Sequence, residues 1–365
     1  MSPMIRSLPG IFFFALALIN EPAIAAPAWQ EEWERLLEAA KKEGTLSLIG
    51  PTGADRKDSL TEVFQKKFGI TVEYRADSGA GILPRLGAER KAEKYLWDVV
   101  VTGTTTGLEN LVPTRMLDPL EPALVLPEVK DLKIWRGGEL EFLDPGRQLL
   151  VMTPFQRGTL FVNPTLVNVK EIKSYKDLLD PKWKGKIVSD DPRKSGPGQT
   201  TFTFFYLHPE LGPEYIRMLG RQGLTLVRDN SQGINMVGQG RFPAAIGLSD
   251  SLVEERMKVG VPIVIVDPRQ IKEGTATSPA SGGLAIFNRP PHPNAAKLYV
   301  NWLLSKEGQT LYAKATGYIS NRIDVPTDHA APWRVPQPGA IKTYTQEAID
   351  IKMKLNPLLT EIFGR

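Results

Sequence analysis

The sequence predicts an α/β protein of two lobes, each a mainly parallel sheet flanked by helices, with hinge strands crossing between them. Three observations carry that expectation. Short apolar runs alternate with helical stripes from Trp29 to Val101, the pattern of βαβ units whose sheet is covered on both faces. The chain has 365 residues, more than the roughly 100–200 of one domain, so two cores are expected. An extended, β-rich stretch from Leu149 to Val162 separates two sets of such units and reads as a crossing strand.

Taken in order, residues 1–25 read as a secretory signal: Arg6, then an apolar run from Ile11 to Ile19, then Ala23-Ile-Ala25 as cleavage site. The run is about half the ~20 residues a membrane-spanning helix needs, so cleavage near Ala26 and a periplasmic location are expected. Trp29, Trp33, Leu36, Leu37 and Ala40 recur at helical spacing up to Gly44, a C-terminal glycine. Thr45–Ile49 is a strand, Leu60, Val63, Phe64 and Phe68 stripe a second helix, and Ile70–Tyr74 is the next strand. A helix over about 82–94 and the strand Trp97–Val101 complete the first set.

In the second set, Ser174 is an N-cap for the turn Tyr175–Leu179, and Asp180-Pro181 ends it because a residue before proline avoids the α region. Strands are expected at Lys186–Ser189, Leu224–Val227 and Ala244–Leu248, with helices around Thr200–Leu207 and Gly212–Gly220. Val261–Val266 and Gly283–Phe287 read as return strands, and Ala295, Tyr299, Trp302 and Leu303 stripe a late helix followed by another through Leu311 and Ala315. The lobes are accordingly expected at 26–154, with 276–365 returning to it, and at 155–275, joined by hinge strands at about 149–162 and 262–287.

Composition narrows the chemistry. The chain has no cysteine, so it carries no disulfide and no thiolate metal site. Its formal charge is +4 with lysines and arginines scattered along the chain, which argues against a nucleic-acid partner. The three histidines, His208, His292 and His329, lie beside prolines or in late loops and read as surface residues. No H-E-x-x-H, G-x-S-x-G, S-x-x-K, Walker A or full G-x-G-x-x-G arrangement occurs, so catalysis has no motif to rest on.

Four segments carry a family resemblance: AAKKEGTLSLIG from Ala39, WDVVVTGT from Trp97, DLLDPKWKGK from Asp177 with Asp191-Pro192 beyond it, and the stretch from His292 to Ser320 containing Trp302-Leu-Leu and Ser305-Lys-Glu-Gly-Gln309. Together they resemble the ferric-iron-type extracellular solute-binding proteins of bacterial ABC importers. The resemblance implies a type II periplasmic-binding-protein fold and a monomer without cofactor. It also implies a small-molecule or ion ligand trapped by lobe closure, and a permease in the inner membrane as partner. In the iron-binding members a tyrosine pair follows the strand matching Ala244–Leu248, whereas this chain has Gly247-Leu-Ser-Asp-Ser251 there. Ferric transport through other oxygen donors or a synergistic anion, a receptor for a membrane sensor, and a periplasmic enzyme stay open as alternatives.

Ligands of open α/β sheets bind outside the carboxyl ends of the strands. The loops expected there are short and rich in glycine and hydroxyl residues, whose backbone N–H groups suit an anion. They offer Thr52; Ser78 and Gly79; Thr104 and Thr105; Gly198 and Gln199; Ser231; and Ser249 with Asp250 as ligand-binding candidates. Arg157 joins them because Gln156-Arg157-Gly158 interrupts an apolar crossing strand and a guanidinium grips oxyanions in a two-pronged geometry. Asp250→Ala is expected to weaken binding and leave the unliganded fold intact.

Overall fold

The computed structural model describes residues 27–77 and 80–364. The expected signal, and Ser78 and Gly79, lie outside the described residues.

The first lobe starts with α1 (Ala28–Glu43), which turns Leu36 and Ala40 inward and stops at Gly44, whose φ of 71° is the left-handed cap a side chain would resist. Next come β1 (Thr45–Gly50), α2 (Ala54–Phe68), β2 (Thr71–Ala76), α3 (Leu83–Lys91), β3 (Val99–Thr102) and the short α4 (Thr104–Thr106), which runs on as a π-turn through Leu111. β4 (Leu117–Asp118), α5 (Pro127–Lys130) and β5 (Leu150–Val151) follow. β2, β1 and β3 are parallel neighbours. Alternation along β3 puts Val99 and Val101 into the core on one face and Val100 into the core on the other.

From β5 the chain crosses through β6 (Phe155–Gln156) into the second lobe. That lobe contains β7 (Leu160–Val162), β8 (Ile187–Asp190), α6 (Pro197–Leu207), α7 (Gly212–Arg221), β9 (Thr225–Val227), α8 (Asn230–Gly238), β10 (Ala244–Ile246), α9 (Asp250–Lys258) and β11 (Val264–Ile265). Its sheet runs β11-β7-β10-β8-β9, with β10, β8 and β9 parallel and β7 antiparallel to β10. Ser174 caps the turn Tyr175–Leu179, Asp177 answers it in a capping box, and Trp183 is buried beside it in the second core.

The chain returns through β12 (Ala276–Ser278) and then β13 (Gly283–Phe287), which enters the first sheet beside β3, β4 and β5. α10 (Pro293–Leu304) and α11 (Lys306–Thr316) cover that sheet. β14 (Ile341–Lys342) then joins β12 and β6 in a separate three-stranded sheet. Each crossing segment thus visits three sheets in turn, and the two pair antiparallel with each other at Thr277–Gln156.

The last helix, α12 (Gln346–Phe363), departs from the expected return of 276–365 to the first lobe. Its Leu355, Leu358 and Leu359 lie in the second core against α6 and α7. Ile349, nearer its start, packs on the first lobe, and Lys352 pairs with Glu109 of that lobe at 2.9 Å. Burying leucines, not chain order, decides the assignment.

Candidate functional site

The carboxyl ends of β8, β9 and β10 are bound into one platform by side chains. The fully buried Asp190 accepts the N–H of Gly198 at 3.0 Å and Asn230 Nδ2 at 3.2 Å, and meets Lys194 Nζ at 2.8 Å. Asn230 Oδ1 in turn accepts the N–H of Ser249 at 2.6 Å. Gly198 has to be glycine at this point: a β-carbon there would stand 2.5 Å from the Asp190 carbonyl oxygen. Opposite, Gly247 at φ 64° would bring its own β-carbon to 2.9 Å from the Gly198 α-carbon. α6 therefore sits close against the β10–α9 loop.

A cavity of about 230 Å³ opens beside this platform, between the lobes. Thr104 of the first lobe, Arg157 at the end of β6, Ser195 and Gln199 before and in α6, Ser278 of β12, and Tyr344 and Lys352 near the carboxyl end all line it. Thr105 lies in the same helical turn as Thr104.

Arg157 is held from behind. Its N–H donates to the Ala276 carbonyl at 2.9 Å, and its own carbonyl accepts Thr275 Oγ1 at 2.8 Å. Its Nε lies 3.2 Å from Asp250 Oδ2. That carboxylate is 1% exposed and accepts the N–H of Gly158 at 3.0 Å, while its other oxygen accepts the N–H of Ser251 at 2.9 Å. Arg334, from the loop before β14, reaches the same Asp250 oxygen at 3.4 Å and pairs with Glu254 at 2.8 Å. Burial works against the Arg334 charge, but Asp250 and Glu254 outweigh it and raise its pKa above the ordinary value. Phe155, buried and stacked on Tyr318, lies under both guanidinium groups.

A larger hollow of about 940 Å³ lies on the Arg334 side, between Gly53–Arg56 and α9, and mixes carboxylates Asp55, Glu254 and Glu255 with Arg56, Lys258 and Lys314. Asp250 thus stands between two hollows with one arginine toward each.

The candidates divide accordingly. Thr104, Arg157 and Gln199 come together in the smaller cavity. Gly198 lies between the lining residues Pro197 and Gln199 and Ser249 belongs to the platform behind, but their N–H groups are taken by Asp190 and Asn230 and Ser249 Oγ caps α9, so neither N–H is offered to a ligand. Asp250 carries both oxygens to protein partners and acts through Arg157. Thr52 is exposed at the rim of the larger hollow, and Ser231 sits in the first turn of α8 and lines neither. Tyr344, Lys352 and Arg334 were missed; Arg334 and Tyr344 lie in loops and Lys352 on the last helix, none of them in a motif, and only tertiary folding brings them to the cleft.

The surface reading of the histidines needs correction at two positions: His329 Nε2 lies 2.7 Å from the Tyr318 carbonyl oxygen on the wall of the larger hollow, and His292 is tied into the first lobe. His292 Nδ1 lies 2.8 Å from the buried Asp98 and its N–H donates to the same carboxyl at 2.7 Å, which pins the start of α10 to β3. Burial pushes the Asp98 carboxyl up, against the hydrogen bonds from Ser47 and His292.

A family model described as bacterial extracellular solute-binding protein matches residues 59–337. An uncharacterized protein of Haemophilus influenzae is 31% identical over 160 residues, 40% of this chain and 41% of its own length; the match thus spans about two fifths of that relative. Three solved structures share the architecture. Iron-bound HitA from Pseudomonas aeruginosa has a TM-score of 0.64 at 20% identity, covering 87% of this chain and 99% of its own. The periplasmic binding protein AfuA from Actinobacillus pleuropneumoniae, with fructose-6-phosphate bound, has 0.61 at 19%, covering 87% and 98%. Ferric iron-binding protein A of Mannheimia haemolytica in an open conformation has 0.69 at 16%, covering 88% and 99%. Identities this low establish the shared two-lobed fold and leave the ligand open.

Proposed function

The chain belongs to the bacterial extracellular solute-binding proteins, and from that membership we propose a receptor that captures one small polar solute by lobe closure and delivers it to an ABC-importer permease. The observation that carries the reading is a cavity lined from both lobes, with Thr104 on one side and Gln199 on the other, over a three-stranded hinge. A solute held there touches both lobes only when they are together. It favours the closed form by that difference in contacts alone. The family location is periplasmic or extracellular; removal of residues 1–25 as a signal, and action as a monomer without catalysis, belong to the same proposal.

Closure is tested by scanning ferric complexes, phosphonates, carboxylates, polyamines and sugars for a raised melting temperature, with small-angle scattering on each hit. At a hundredfold excess over the dissociation constant, a true ligand adds about 2.7 kcal/mol of stability and reduces the radius of gyration. Stabilisation without compaction counts against closure.

A further inference from the structure

The geometry points to a small oxyanion as the solute, gripped by the outer nitrogens of Arg157; this rests on the receptor reading above. Among the described residues, every charged side chain lining the smaller cavity is a cation, Arg157 or Lys352, and no Asp or Glu lines it. The carboxylates nearby are already engaged from outside the lining: Asp250 behind Arg157, and Glu109 on Lys352. The arrangement uses Asp250 as a rear support. Asp250 Oδ2 lies 3.2 Å from Nε as an ion pair, and among the described residues the Arg157 guanidinium donates no hydrogen bond to a protein acceptor. A planar guanidinium whose N–H groups have no protein acceptor offers its Nη pair to phosphate or carboxylate oxygens in a two-pronged geometry.

The same lining is unsuited to a bare hard cation. Tyr344 is its one tyrosine among the described residues, and that hydroxyl donates to Glu141 at 3.1 Å. Burial raises its pKa, with Glu141 adding to the effect, so it stays protonated and is a poor source of phenolate. Ferric ion prefers charged oxygen donors, and here it would meet two cations and neutral hydroxyls.

The test follows the melting temperature and calorimetric affinity of the full mature chain with inorganic phosphate, against sodium chloride at equal ionic strength, spermidine, and ferric nitrilotriacetate. Phosphate is expected to stabilise the protein where chloride does not. Arg157→Met is expected to weaken phosphate by about 10- to 100-fold, the range for loss of a charge-assisted hydrogen bond. Since that change also deprives Asp250 of a partner, Arg157→Lys is the companion variant: it keeps the charge, loses the fork, and is expected to fold and bind phosphate with intermediate affinity. Stabilisation by spermidine or the ferric complex with none by phosphate overturns the anion assignment and leaves the receptor reading standing, as does a phosphate response unchanged in Arg157→Met. No response to any of the probes overturns the anion assignment, and the receptor reading is then decided by the wider scan above.

Discussion

Removing the Asp250 carboxylate would leave Arg157 and the buried Arg334 without the anion they share. Breaking a buried pair by deleting one partner costs about 3–5 kcal/mol, so Asp250→Ala is expected to destabilise the unliganded protein by that order in urea unfolding. This reverses the sequence-based expectation of an intact fold, because the burial of Asp250 and its second arginine, 84 positions away, leave no local trace in the sequence. A denaturation midpoint equal to wild type would return Asp250 to the role of direct ligand. Asp191 contributes stability that depends on pH. Its hydrogen bond from the Arg193 side chain holds its carboxyl below the usual range, with burial opposing. A carboxyl depressed in the fold adds stability above its unfolded pKa, near 4, and that stability is lost as pH falls through the lower folded value. Asp191→Asn is therefore expected to lower the urea midpoint at about pH 7, with the gap to wild type closing below about pH 4; a gap independent of pH would refute the assignment.

At the scale of elements, α12 is the piece whose place depends most on distant contacts. Leu359 is fully buried against α6 and α7, and Leu359→Ala is expected to cost about 2–5 kcal/mol. Hydrogen exchange should quicken in α6 and α7 and stay unchanged in α10; loosening of the first lobe alone would contradict the assignment. The alternating βα elements of both lobes and the crossing strands were legible in the sequence, since a short apolar run such as β3 or β10 and a helical stripe such as that of α1 are local properties of the chain. The Ser174 cap was legible for the same reason. The platform at the cleft was legible only in part: glycine at 198 and 247 signals close backbone approach, but which loop approaches which is a tertiary fact. Nothing local marks Tyr344 or Lys352 as neighbours of Arg157.

For the whole molecule, the division into two cores on either side of a three-stranded hinge makes rigid-body motion the natural response to a solute. The hinge sheet holds β6, β12 and β14 together, and α12 spans from one lobe to the other, so opening has to break or stretch the Lys352–Glu109 contact. β13 has a consequence of another kind. It lies inside the first sheet, bonded to β3 on one side and to β4 and β5 on the other, yet it is encoded after every strand of the second lobe's sheet. A polypeptide emerging from its amino end therefore carries an unfilled slot in its first half until Gly283 arrives, and non-local pairing of this kind is slow to form. The nascent chain stays pliable late into synthesis, a state suited to any passage that only an unfolded thread can make.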